Sequence, residues 1–265
     1  RNICRFGLSA YSLNFKIILY MIPKVIHYCW FGKKKLPPLA VKCIESWKKF
    51  LPDYEIKEWN ETNFDVNVIP YTEEAYKAKK YAFVSDYARF WILYNYGGLY
   101  FDTDVEVIKP MNDIIERGSF MGCENEIKED MPLLVAPGLG LGCEAGNQVY
   151  SDLLDLYAQL HFMTSDGSLN LKTIVQYTTE YLEACGLAKV NSIQRIKNIW
   201  IYPKEFFCPK SNVDGKIYQT KNTYTIHHFS GSWVPQKDKF ITFIQKIVGE
   251  KCLCFMVKVK HILLK

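Results

Sequence analysis

The chain has 265 residues, 49% of them hydrophobic and 23% charged, with a formal net charge of +5. These values fit one large α/β domain, or one domain with an appendage, and the charge is too small to argue for a nucleic-acid partner. The longest apolar stretches, residues 15–22 and 252–257, fall short of the roughly 20 residues that cross a bilayer. Aromatic residues reach 15%, which suits sugar- or base-stacking surfaces and a tightly packed core equally well. The nine cysteines, an odd number without a regular framework, read as reduced thiols of a cytoplasmic protein.

Residues 1–20 read as an upstream extension, with a cleaved signal as the alternative, because the segment from Met21 onward looks like a natural first strand. Residues 22–31 form a nearly unbroken apolar run that stops at Gly32, the pattern of a central strand. Pro37 and Pro38 suit a helix entry, with Val41, Ile44, Trp47 and Leu51 at helical spacing and Pro52-Asp53 as the stop. Alternation over residues 54–59 gives a second strand, so the opening is a strand–helix–strand crossover with a parallel pair.

Helices follow over residues 71–80 and 82–96, the second ending at Gly97 or Gly98. Short strands are expected at 99–101, 105–108, 120–123, 133–136, 199–202 and 224–229, and helices at 148–160 and 171–185. This order predicts an α/β fold with a mostly parallel sheet flanked by helices. The core domain is placed at residues 21–235. Residues 236–265 read as a basic amphipathic tail, either a peripheral membrane contact or an ordinary helical cap.

The most informative stretch is SDYARFWILYNYGGLYFDTD, residues 85–104. Side chains two apart on a strand point the same way, so Asp102 and Asp104 converge just past the strand end. Two carboxylates that close call for a cation, and a hard divalent ion completed by phosphate oxygens answers that need. Asp86 and Arg89 lie three apart on one helix face among apolar neighbours, as a structural ion pair, a ligand contact, or both. Trp30 ends the first strand, where parallel sheets present ligands, and His27 on that strand reads as a core residue. His227 and His228 face opposite ways on a late strand, so one of them is expected at the site. Residues 138–142 (GLGLG) lack dinucleotide-loop spacing and read as a mobile acceptor-side loop, with Tyr202, Lys204 and Phe206 as further acceptor-side candidates.

The 85–104 stretch resembles the DXD region of glycosyltransferase family 32 and is similar to the catalytic domain of clostridial glucosylating toxins. IPKVIHYCWFG (22–32), IYPKEFFCPK (201–210, as in the capsular branch) and TIHHFSGSW (225–233) extend the resemblance in the expected order. It implies a GT-A fold and a retaining, Mn²⁺- or Mg²⁺-dependent transfer from a UDP-sugar, galactose favoured and GDP-mannose second. The implied acceptor is a glycan or lipid-linked oligosaccharide in bacterial capsule or surface polysaccharide synthesis. On this reading Asp104 binds the metal, with Asp102 beside it or on the donor, and His227, with His228 as the alternative, supplies a further ligand. Asp86 and Arg89 meet the donor sugar, Trp30 stacks on the base, and Ser232 and Trp233 donate to the β-phosphate. Residues 124–130 and 138–146 match no pattern of that family.

Overall fold

The computed structural model describes residues 21–127, 132–211 and 214–231. The expected extension (1–20), the basic tail (236–265), and Ser232 and Trp233 lie outside the described residues. One compact unit ends at Phe229.

The opening crossover forms β1 (Val25–Cys29), α1 (Pro38–Phe50) and β2 (Glu55–Trp59), with β1 and β2 parallel over their full lengths. Pro38 starts α1 in the first turn, where its missing N–H is not needed. The buried stripe of α1 is Ala40, Cys43, Ile44 and Trp47, with Leu51 buried just past its end, so of the expected positions only Val41, 47% exposed, lies off the stripe. Trp47 fixes the helix by donating its indole N–H to the Val105 carbonyl at 2.7 Å.

Next come α2 (Pro70–Lys77), α3 (Tyr81–Tyr96) and β3 (Gly98–Tyr100). The helix stops because Gly97 and Gly98 take positive φ values of 64° and 103°. A side chain at Gly98 would also meet the Val25 carbonyl at 2.6 Å, so only glycine lets β3 lie against β1 here. His27 closes the same junction: its Nε2–H donates to the Gly97 carbonyl (3.0 Å) and its Nδ1 accepts from Trp59 (3.0 Å). Burial lowers its pKa to about 4, so this histidine is a neutral core group, as expected.

The chain continues through β4 (Val105–Val107), α4 (Asn112–Glu116), β5 (Phe120–Gly122), β6 (Leu141–Cys143), α5 (Gln148–Ala158) and α6 (Ile174–Ala184). It ends with β7 (Gln194–Ile196), β8 (Ile199–Tyr202), α7 (Lys204–Phe207) and β9 (Thr225–His227). Seven strands form one sheet in the order β2-β1-β3-β6-β5-β8-β7. Five of them run one way, and β6 and β7 run against them. Helices flank this sheet, giving the expected α/β class.

Four expectations change. Residues 133–136 are not a strand: they make a single bridge, Cys123 to Val135, and the sheet strand is Leu141–Cys143. The GLGLG segment therefore enters the centre of the sheet instead of forming a mobile loop, since small residues let β6 slip between β3 and β5. The strands at 105 and 225 leave the main sheet and pair with each other, antiparallel, as β4-β9. Tyr202 is a core residue, 1% exposed and packed on Phe206 and Phe207, not an acceptor-side group. Among the described residues all six cysteines are free thiols, and no helix is long and apolar enough to cross a membrane.

Candidate active site

Parallel strands present ligands at their carboxyl ends. Here β1, β3, β5 and β8 run the same way, and the residues just past those ends are Trp30, Asp102, Glu124 and Lys204. The site is built on that edge.

Arg89 forms its wall. The helix α3 carries it inward, with 5% of its side chain exposed. Its guanidinium donates to Asp86 Oδ1 at 3.0 Å and lies 3.3 Å from Asp102 Oδ1, so one cation bridges two carboxylates. The same group donates through Nε to the Ser85 carbonyl (3.1 Å) and sits over the Tyr100 ring at 4.9 Å. Asp86 also accepts a hydrogen bond from the Ile174 backbone N–H, the first residue of α6. Burial pushes the Asp86 carboxyl upward against the pull of Arg89, and the neighbouring Asp102 adds to the rise. The buried hydroxyls of Tyr71 and Tyr157, without hydrogen-bond partners among the described residues, lie close enough for the Asp86 charge to act on them.

The two motif carboxylates have different partners. Asp102, 29% exposed, is held by Arg89 and accepts from the Tyr100 hydroxyl at 3.3 Å. Its pKa is raised, first by burial and then by Asp104, with Arg89 opposing. Asp104 turns to His227, with Oδ1 3.1 Å from Nε2. The β4–β9 register produces that contact: Val105 lies opposite His227, and the His228 N–H donates to the Asp104 carbonyl at 2.9 Å. Thr225 pins β9 by donating to the Phe207 carbonyl (3.0 Å). His227 Nδ1 is buried without a hydrogen-bond partner among the described residues. The His228 side chain faces the other way and pairs with Glu106 at 2.8 Å.

Among the described residues no three histidine, cysteine or acidic side chains gather into a metal cage. What is present is a carboxylate–imidazole pair beside a second carboxylate, all at the mouth of a strand edge. That donor set fits a divalent ion that takes its remaining ligands from water and phosphate oxygens, as Mg²⁺-type sites do. Asp104 and His227 would hold such an ion, with Asp102 next to it.

Trp30 is half-buried, and its indole N–H is engaged by the Lys34 carbonyl at 2.6 Å. Two site residues were not singled out from sequence. Gly138 gives its carbonyl to the Asp102 N–H (3.2 Å), and a Cβ there would lie 2.1 Å from Asp102 Oδ2. Its signal was the glycine-rich run, read instead as a loop. Glu124 stands past β5 with its charge acting on His227 and Lys204, in a stretch whose pattern gave no signal.

Comparisons with known proteins bear on this edge. Residues 37–121 match the family model described as a glycosyltransferase sugar-binding region containing the DXD motif. That span includes Asp86, Arg89, Asp102 and Asp104 and excludes Glu124 and His227. The chain is 31% identical over 233 residues to inositol phosphoceramide mannosyltransferase 3 of Schizosaccharomyces pombe, covering 79% of this chain and 60% of that protein. It is 29% identical over 111 residues to inositol phosphoceramide mannosyltransferase 1 of the same yeast, covering 38% of this chain and 33% of that one. The chain thus spans less than two thirds of the length of both curated relatives. Among solved structures, the PaToxG glycosyltransferase overlaps 66% of this chain and 75% of its own at 19% identity, with a TM-score of 0.47.

Proposed function

We propose that this chain is a metal-dependent, retaining glycosyltransferase of the GT-A type. It moves a hexosyl or N-acetylhexosaminyl group from a nucleoside diphosphate donor to a hydroxyl of a glycan or lipid-linked acceptor. The observation that carries the reading is the division of labour at the end of β3, with Asp102 locked to Arg89 and Asp104 set against His227. The DXD family match, which spans Arg89, Asp102 and Asp104, supports it.

On this reading Arg89 and Asp86 meet the donor sugar, with the guanidinium already oriented by three acceptors and needing little reorganisation. Asp104 and His227 hold the divalent ion, Mn²⁺ or Mg²⁺. That ion, when bound, supplies Lewis-acid neutralisation of the diphosphate as negative charge grows on the leaving group. Asp102, with its open face, accepts from donor hydroxyls. Trp30 at the end of β1 offers an aromatic face to the base. Ser232 and Trp233 are assigned to the β-phosphate. Retention is assigned to front-side attack, the leaving phosphate taking the acceptor's proton.

The setting proposed is surface-polysaccharide synthesis in a bacterium, supported by the likeness of residues 201–210 to capsular enzymes, with the basic tail touching the membrane. Galactose on UDP is the first donor to try. GDP-mannose is the second donor to try, and the mannosyltransferase names of two relatives support including it.

The test is nucleotide release from a panel of UDP- and GDP-sugars, with Mn²⁺ and then with EDTA, for wild type and Asp104→Asn. Release from one donor, abolished by EDTA and by the substitution, is the expected result. Absence of any metal-dependent nucleotide binding by the wild type would overturn the reading.

A further inference from the structure

The strand edge divides at β6. Trp30 and Asp102 stand past β1 and β3 on one side, and Glu124 and Lys204 stand past β5 and β8 on the other. Trp30, Asp86, Arg89 and Asp102, assigned to the donor above, lie on the first side or on α3, and that assignment gives the β5–β8 side no role.

The Glu124 backbone is held firmly. Its N–H donates to the Leu134 carbonyl (2.9 Å), and the preceding Cys123 N–H donates to the Tyr202 carbonyl (2.9 Å), with Cys123 also bridged to Val135. The side chain, in contrast, is half-buried and forms no hydrogen bond or ion pair with any described residue. A carboxylate in that state is short of donors, because a partly buried charge is unfavourable unless something bonds to it. The charges that act on it are His227, from the metal side, and Lys204, at the start of α7. Burial raises its pKa, and His227 and Lys204 oppose the rise. His227, whose Nδ1 is buried without a hydrogen-bond partner among the described residues, feels the Glu124 charge in turn.

We propose that Glu124, with Lys204 beside it, is the acceptor-side element of the site: its carboxylate accepts a hydrogen bond from the incoming acceptor hydroxyl and aims that oxygen at the anomeric carbon. The inference rests on the donor reading above. In the step, the acceptor oxygen forms the new bond to the anomeric carbon. The bond from that carbon to the β-phosphate oxygen breaks, and its electron pair leaves with the diphosphate. The acceptor's proton, held by the Glu124 carboxylate while the oxygen is aimed, turns to the leaving diphosphate oxygen as the new bond forms and ends there. Glu124 is unchanged, and the Lys204 charge opposes the rise that burial gives its pKa. The ligand class is a neutral hydroxyl, with water as its smallest member.

Water therefore serves as the probe. Donor hydrolysis is measured on the full chain with the donor that releases nucleotide fastest, for wild type, Glu124→Gln, Glu124→Asp and Lys204→Met, alongside Mn²⁺-dependent UDP or GDP affinity. The expected result for Glu124→Gln is a fall in kcat of about 100-fold, the scale of a misaimed reactant, with KM for the donor and nucleotide affinity unchanged. Glu124→Asp, which keeps the charge one methylene back, recovers part of that loss, and Lys204→Met loses less than Glu124→Gln. Unchanged kcat in Glu124→Gln would overturn the inference and leave the donor reading standing. So would a loss confined to nucleotide affinity, which would put Glu124 on the donor side. A wild type inert to every donor, with no metal-dependent nucleotide binding, fails the donor reading and this inference with it. Matching melting temperatures for the three variants separate an aiming role from misfolding.

Discussion

Asp102 and Asp104 stand two residues apart at one strand end, yet their surroundings differ. Asp102 belongs to a closed region: one guanidinium serves it and Asp86, a helix N-terminus serves Asp86, and Tyr100 completes the set. Asp104, only 14% exposed against 29% for Asp102, belongs to a region open in its bonding and not in its exposure, in which His227 keeps a nitrogen without a partner and Glu124 a carboxylate without one, among the described residues. The closed region is built on the consecutive elements α3 and β3, with the N-terminus of α6 as its one distant member, and acts as part of the core. The open region joins elements far apart in sequence, β4, β5 and β9, and has bonding capacity to spare. A fixed wall with an unsaturated rim is what a site needs if substrate is to complete it.

The sharpest way to break the comparison is Arg89→Ala. It leaves two carboxylates facing each other in the core, and removal of one partner from a buried ion pair costs about 3–5 kcal/mol. Urea unfolding should show a midpoint shifted by that amount, and a shift under about 1 kcal/mol would mean the wall behaves like a surface pair. Asp104→Asn should do the reverse. Stability should be nearly unchanged, while metal-dependent nucleotide release falls by about 10²- to 10³-fold, the range for loss of one electrostatic stabiliser. Equal stability losses in the two variants would erase the distinction between wall and rim.

A third test uses His27, part of the frame under the wall. Its folded pKa of about 4 lies below the ordinary value of 6.5. The unfolded chain therefore binds the extra proton first, and the stability His27 contributes is complete above pH 6.5 and lost as pH falls toward 4. The loss is about 3 kcal/mol. His27→Gln, which cannot titrate, should show a shallower decline in unfolding free energy between pH 7 and pH 4.5. Parallel declines for the two proteins would show that His27 is not the group responsible.

The legibility of the molecule follows the same divide. The wall could be read because local rules fix it: helical spacing brings Asp86 and Arg89 to one face, the glycine pair ends α3, and alternation sends Asp102 and Asp104 past β3. The rim could be read only in outline. That one histidine of the pair would face the site follows from strand alternation, but the choice depends on the β4–β9 register, a pairing across more than a hundred residues. Glu124 carried no local pattern at all. The misplaced strand at 133–136 has a related cause. Its apolar residues looked like a strand, while Gly140, Leu141 and Gly142 did not, yet the space between β3 and β5 accepts the small residues. A Cβ at Gly142 would lie 2.3 Å from the Phe120 ring. Tertiary fit overrode propensity there.

Gly138 is where wall and rim meet, and it gives the finest test. Its carbonyl receives the Asp102 N–H, and its α-carbon lies so close to the Asp102 carboxylate that a methyl group would overlap Oδ2. Gly138→Ala must therefore push Asp102 off Arg89 or shift the segment that leads into β6. Overpacking of this kind costs about 1–3 kcal/mol, less than loss of the whole ion pair, because Arg89 keeps Asp86 either way. If Asp102 is the part that moves, donor KM should rise, since the residue assigned to donor hydroxyls is displaced while Asp104 and His227 stay in place. If the segment before β6 moves instead, the melting temperature should fall with KM unchanged. The first outcome ties Asp102 to the donor, and the second confines it to the wall.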